Sequence, residues 1–246
     1  MPTSIGGGPA GGRRTGPKPR FTADDAIDAA LELGLDSFTL GAVAKELGVS
    51  TPSLYRIVES RSDLVELSLA RTADSLVAPP AELPWPDQLR HYVDTMWALL
   101  ENHPGVDRAI MDYPGAHAAA QRYFRELADS VMAAGFPGDG GALDFVLDFL
   151  GDTILMTHVS IAAMRREISP GRSGLDQAVD KLLAEASKSG GRTHVPPDRS
   201  WLVRGRLDAK VEFIIAGIEA GLAVDLSVNL GAGRDAGRDA VSPTEP

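Results

Sequence analysis

Between Ser50 and Arg61 the chain gathers side chains suited to the surface of duplex DNA. Thr51, Pro52, Ser53, Tyr55 and Arg56 follow one another closely, and by position they approach base edges or flanking phosphates. Arg56 is the best candidate for a guanine contact, because its planar fork matches O6 and N7. Thr39, Ser50, Tyr55 and Arg61 offer hydroxyls and a cation to phosphate oxygens, contacts that set register without reading sequence. Upstream, Arg13, Arg14, Lys18 and Arg20 stand in a Gly/Pro-rich stretch free of acids. A basic arm of this kind enters a minor groove or clamps phosphates.

The elements that must position these groups are written in the same stretch. Thr22 is placed to cap a first helix, with Asp24 and Asp25 in its first turn, where the helix dipole favours negative charge. Thr39 is placed to cap a second, whose Leu40, Val43, Ala44 and Leu47 recur at helical spacing. Gly48 occupies the position after it, where a left-handed residue closes a helix. Ser50 is the next N-cap, Pro52 is tolerated in the first turn, and Leu54 and Ile57 face inward. Ser60 opens a further helix with Asp63 at the capping-box position. Support helix, tight turn and outward-facing polar helix make a helix-turn-helix.

Charge follows the same division. The chain of 246 residues has a formal net charge of −10. Residues 1–20 carry +4, residues 21–71 carry −5 and the remainder −9. A positive arm on an acidic body favours local phosphate contact over non-specific binding. With no cysteine, disulfides, thiolate metal sites and cysteine nucleophiles are excluded. Gly6, Gly8 and Gly11 match the spacing of a dinucleotide fingerprint, but neither a strand nor a helix flanks them. SIGGGPAGGRR has no apolar run of the kind a secretory signal needs. The apolar stretch from Ala142 to Met164 is interrupted by Asp144, Asp148 and Asp152, which argues against a membrane span. A cytoplasmic protein with no membrane association is expected. His91, His103 and His117 have no metal-ligand spacing, no enzyme motif is present, and no catalytic residue, cofactor or metal is expected.

The stretch FTADDAIDAALELGLDSFTLGAVAKELGVSTPSLYRIVESRSDLVEL resembles the N-terminal domain of TetR-family transcriptional regulators. The resemblance runs from about Arg20 to Leu69 and follows the family order: arm, helix, Phe-Thr, Ala-x-x-Leu-Gly-Val-Ser, Leu-Tyr-Arg, then a basic residue opening the next helix. Ile57 and Val58 stand where the family places His or Tyr and then Phe, and Arg61 replaces the usual lysine. Losing a polar ring at 57 removes one phosphate contact.

Beyond the prolines at 79, 80, 84 and 86 the periodicity is helical almost throughout, with no convincing β pattern. Helices are expected from Asp87 to about Leu100, Val106 to Asp112, Ala116 to Ala134, Gly141 to Ile168 and Ser200 to Leu226, with a weaker one from Leu175 to Ala186. The expected fold is all-α: a basic arm at 1–20, a three-helix helix-turn-helix DNA-binding domain at 21–76, a larger helical ligand-binding and dimerisation domain at 77–226, and a tail at 227–246. Arm and tail are expected to be disordered.

The resemblance implies a ligand-responsive regulator, a repressor binding a palindromic double-stranded DNA operator as a homodimer and released by a small-molecule effector. It implies a pocket within the second domain, for which Met96, Trp97, Met111, Tyr113, Phe124, Phe149, Met156 and His158 are candidate lining. It also implies a dimer interface on two long helices, with Val146, Leu150, Ile214, Gly217, Ile218 and Gly221 as candidates. Gly217 and Gly221, four apart, would allow close helix approach. For His158 a neutral, hydrogen-bonded core position is the preferred reading. Asp144, Asp148 and Asp152 form a column that could bind a cation, with a solvated stripe preferred. An alternative, prompted by Ile57 and Val58, is a helical ligand- or protein-binding module with degenerate operator binding.

Overall fold

A computed structural model describes residues 21–222. The basic arm with Arg13, Arg14, Lys18 and Arg20, and the tail at 227–246, lie outside the described residues. Three helices open the chain: α1 (Ala23–Leu33), α2 (Leu40–Glu46) and the short α3 (Thr51–Leu54). Thr22 and Thr39 cap α1 and α2 by accepting from the backbone N–H groups of Asp25 and Ala42. Gly48, at φ 65°, ends α2, and Val49 N–H turns back to the Ala44 carbonyl at 2.9 Å. This closure needs a left-handed residue, which glycine supplies without steric cost. Phe38, Val43, Leu54, Val58 and Leu64 bury themselves between these helices and the next.

Helix α4 (Arg61–Asp74) follows, and a proline-rich segment leads to α5 (Trp85–Asn102). The second unit continues with α6 (Val106–Asp112), α7 (Ala116–Ala119), α8 (Gln121–Ala133) and α9 (Gly140–Arg165). A short hairpin of β1 (Glu167–Ser169) and β2 (Arg172–Ser173) precedes α10 (Gly174–Lys188). A 3₁₀ turn at Arg199–Leu202 leads into α11 (Leu207–Glu219). The core of this unit is formed by Leu89, Tyr92 and Leu100 of α5, Tyr123 and Leu127 of α8, and Leu143, Leu150, Ile154 and Ile161 of α9. By length and composition α9 could cross a membrane, but it carries three aspartates and buries this series of side chains within the helical core.

Three expectations are corrected. The hairpin at 167–173 was not legible as strand, being only five strand residues, paired as Glu167 with Ser173 and Ser169 with Arg172 around Pro170-Gly171. The helix expected at Ala116–Ala134 divides at Ala120, whose backbone leaves helical geometry. The last helix starts at Leu207 rather than Ser200. Arg165 Nε and Nη2 donate to the carbonyls of Leu202 and Val203 at 2.8 and 3.0 Å, taking acceptors a continuous helix would use.

Helix α4 belongs to both units. Its first turn is fastened to the opening helices by Arg61, whose Nε and Nη2 donate to Phe38 O and Leu35 O at 3.0 and 2.8 Å. Arg71 pairs with Asp24 and Asp28 of α1. On its other side Glu66 accepts from Tyr113 Oη at 2.7 Å, and Arg122 of α8 donates to Asp74 O at 3.2 Å. A second seam joins the α1–α2 loop to the α5–α6 loop, where Leu35 N–H donates to Pro104 O at 3.0 Å. Gly105, at φ 82°, lies so close to Asp36 that an added Cβ would stand 2.5 Å from its backbone nitrogen.

Candidate functional site

The surface around α3 keeps most of the polar groups named from the sequence. Tyr55 is 54% exposed, and Arg56 is exposed with no ion pair among the described residues. Pro52 is exposed in the first turn, and Thr51 and Ser53 are half-buried. Ser50 occupies the N-cap position without capping. Its hydroxyl instead meets that of Ser53 at 2.8 Å, and the two short side chains satisfy one another. The regular α3 is only four residues long, but its turn continues to Val58 through bonds such as Ile57 N–H to Leu54 O at 2.9 Å. Val58 is fully buried and Ile57 is half-buried against the same core, so both positions serve packing.

Two expected phosphate contacts have other work. Thr39 Oγ1 is engaged in capping α2, at 3.1 Å from Ala42 N. Arg61 spends its fork on two backbone carbonyls and lies over the Phe38 ring, 4.6 Å from its centroid. It therefore positions the helix-turn-helix against α4. Lys45, exposed in the last turn of α2, was not singled out in the sequence because a lone lysine on a polar face carries no motif.

Behind this surface the second unit contains a cavity of about 340 Å³. Leu69, Thr72 and Ala73 bring the end of α4 to it, with Leu76 just beyond; α5 contributes Tyr92, Met96 and Leu99, and α8 contributes Phe124. On α9 the lining residues are Asp144, Leu147, Asp148, Gly151, Asp152 and Leu155, a single helical stripe. His117 and Gln121 complete the rim from α7 and α8. Burial, with smaller contributions from Tyr123, Asp148 and Asp152, pushes the Tyr92 hydroxyl pKa upward and holds the proton on it.

Of the expected lining, Met96 and Phe124 reach this cavity and six residues do not. Phe149 and Met156 lie on a different face of α9 and are exposed, because the cavity stripe is the one defined by 144, 148 and 152. Met111 is exposed on α6. Tyr113 is held by Glu66. Trp97 and His158 meet each other instead, ring centroids 5.1 Å apart, in a separate polar cluster. The aspartate column is exposed, as a solvated stripe should be, and it also lines the cavity. No trio of His, Asp or Glu among the described residues is arranged to hold a metal ion.

His158 is largely buried and hydrogen-bonded, with the carboxylates of Asp107 and Glu101 facing its two ring nitrogens. Its Nδ1 lies 2.9 Å from Asp107 Oδ2. Burial raises the Asp107 pKa, but the His158 bond, the Arg108 N–H at 2.7 Å and nearby positive charge outweigh it and leave the carboxyl below the usual range.

The candidate dimer residues also divide. Val146 and Leu150 are buried inside the protomer, so they cannot meet a second copy. Ile214 and Ile218 pack partly against the core. Gly221 lies past the end of α11 at φ 79°, where Leu222 N–H returns to Gly217 O at 3.0 Å, so it terminates the helix. The exposed apolar side chains of these helices are instead Phe145, Phe149 and Met156 on α9 and Phe213, 79% exposed, on α11. Phe145 and Phe149 stack at 6.1 Å.

This arrangement of a helix-turn-helix, a shared fourth helix and a larger helical unit is the TetR-family fold, as the sequence resemblance led us to expect. Over 82% of its length the chain is similar to the TetR-family protein ActR of Streptomyces coelicolor in complex with actinorhodin, with 97% of that chain covered, a TM-score of 0.65 and 20% identity. Apo ActR gives a TM-score of 0.55 at 18% identity, over 84% of this chain and 98% of that one. In sequence, 106 residues are 36% identical to the HTH-type transcriptional repressor DrrR1 of Streptomyces coeruleorubidus, covering 38% of this chain and 37% of that relative. No family model matches the chain.

Proposed function

We propose that the protein is a DNA-binding transcriptional regulator, a repressor that binds a palindromic operator as a homodimer and is released by a small molecule in the cavity of its second unit. The observation that carries this reading is the double membership of α4. Arg61 ties its start to the helix-turn-helix, and Leu69, Thr72 and Ala73 near its end line the cavity. A ligand that prefers one position of α4 shifts the population toward that position and changes the spacing of two recognition surfaces.

Arg56, Tyr55, Thr51 and Ser53 supply base and phosphate contacts, and the arm residues Arg13, Arg14, Lys18 and Arg20 add phosphate or minor-groove contacts. Dimerisation is assigned to α9 and α11, supported by the exposed rings Phe145, Phe149 and Phe213. ActR with actinorhodin supports an organic ligand for the cavity, and the repressor DrrR1 supports the sign of regulation. Acting on DNA, the protein works in the cytoplasm.

The test is a titration of the full-length protein against the DNA upstream of its own gene at two salt concentrations. A saturable footprint with two-fold symmetry, weakening steeply with salt, is the expected result. Binding no tighter to that DNA, or to any genomic fragment, than to random sequence would sink the reading.

A further inference from the structure

The cavity is chemically lopsided. Its walls on α5 and α8 are apolar and aromatic, with Tyr92 and Phe124 in edge contact at 6.1 Å, while its rim on α9 carries Asp144, Asp148 and Asp152. Among the described residues neither Lys nor Arg lines it. None of the three carboxylates has an ion-pair partner among the described residues. Four residues apart, neighbouring carboxylates are spaced by ~6 Å along the helix axis. Among the described residues the three are not arranged as a group that could hold a metal ion. Their spread suits an extended organic cation.

Tyr92 strengthens the match. Its side chain is buried, and its hydroxyl lies beside Gly151, between Asp148 and Asp152, so close that a Cβ on the glycine would stand 3.1 Å from it. Its acceptor, Leu147 O, is distant at 3.4 Å. The partly buried Phe124 offers an aromatic surface to the cavity, and the carboxylates without an ion-pair partner among the described residues offer charge; both attract a cation. An anionic ligand would meet three like charges, and a neutral one would gain nothing from them.

We propose that the cavity takes an amphipathic organic cation, with an apolar body against Phe124 and the apolar α5 wall and a protonated amine against Asp148 and its neighbours. This rests on reading the cavity as the effector site. A volume of about 340 Å³ is in the range of drug-sized sites.

The test uses the full-length protein and three dyes followed by fluorescence anisotropy: rhodamine 6G as cation, Nile red as neutral body and fluorescein as anion. Rhodamine 6G should saturate at one per chain, about tenfold or more tighter than Nile red, with fluorescein unbound. Asp148→Asn should weaken rhodamine 6G on the order of tenfold, and Asn at all three positions further, with Nile red unchanged. These positions are exposed, so the variants should keep their circular dichroism and melting temperature. Ala119→Phe and, independently, Leu155→Phe fill the cavity and should remove both dyes. If the filling variants remove dye but the Asn variants leave rhodamine 6G unchanged, the cation preference is overturned and the cavity reading stands. If rhodamine 6G ignores both filling variants, or no dye binds at all, both are overturned.

Discussion

His158 Nδ1 and Asp107 Oδ2 meet at 2.9 Å across the junction of α9 and α6, where both side chains are largely hidden from solvent. Around them Arg165 pairs with Glu101 at 2.8 Å, and Arg204 lies over Trp97. The pair therefore joins the helix that lines the cavity to the loop-proximal helix that faces α4. Because the Asp107 pKa is lowered by folding, its contribution is fully present above the unfolded value of 3.8 and is lost as pH falls through the lower folded value. Asp107→Asn should destabilise the protein by about 1–3 kcal/mol at neutral pH. The difference in melting temperature from the parent protein should shrink as pH is lowered through and below 4. A constant difference down to pH 3 would show that the carboxylate charge is not the cause.

Arg56 and Arg61 should separate cleanly. Arg56 is exposed and unpaired among the described residues, so Arg56→Ala should leave stability within about 0.5 kcal/mol. It should weaken specific DNA binding by about 1–3 kcal/mol. Arg61→Ala deprives two carbonyls and the Phe38 ring of their partner, so it should lower the melting temperature as well as DNA affinity. Calorimetry beside a DNA titration distinguishes the two, and equal melting temperatures for both variants would refute the positioning role of Arg61.

Gly105→Ala tests the seam between the two units. The residue has φ 82°, and the new methyl would press on Asp36 at 2.5 Å. Left-handed strain alone costs about 1 kcal/mol, and the collision should raise the total to roughly 2–3 kcal/mol. The melting curve should shift accordingly. In a protease time course, cleavage should appear first near the α1–α2 and α5–α6 loops.

The outward rings give a test of assembly. Glutamate at both Phe149 and Phe213 replaces exposed apolar surface, so the folded protomer should tolerate it. Analytical ultracentrifugation should find the proposed dimer for the parent and a monomer for the double variant, with unchanged helix content. A dimer that survives the double substitution places the interface elsewhere.

The helix-turn-helix was the more legible part of this chain, because its signals are local. Caps at Thr22 and Thr39, a left-handed Gly48 and apolar residues at helical spacing name their own geometry within a few positions. The cavity was harder to read. Trp97, Met111, Phe149 and Met156 have the composition of a pocket lining, but which helical face turns inward is decided by packing between distant elements. On α9 apolar residues surround most of the circumference, so periodicity alone could not choose among its faces. There the aspartates, unwelcome in a packed interior, mark the cavity side. Val146 and Leu150 erred in the opposite sense, since strong hydrophobicity on a long helix signals burial without saying whether the partner is the same chain or another.

Helix α4, with Arg61 at one end and cavity residues toward the other, has 14 residues and is a rod of ~21 Å. A rod amplifies. A tilt of about 10° about one end carries the other through ~4 Å, slightly more than the ~3.4 Å axial rise per base pair of duplex DNA. In the proposed mechanism, a ligand that moves Leu69 by ~1.3 Å acts on a lever pivoted near Asp74, whose far end at Arg61 carries the helix-turn-helix by about one base-pair step.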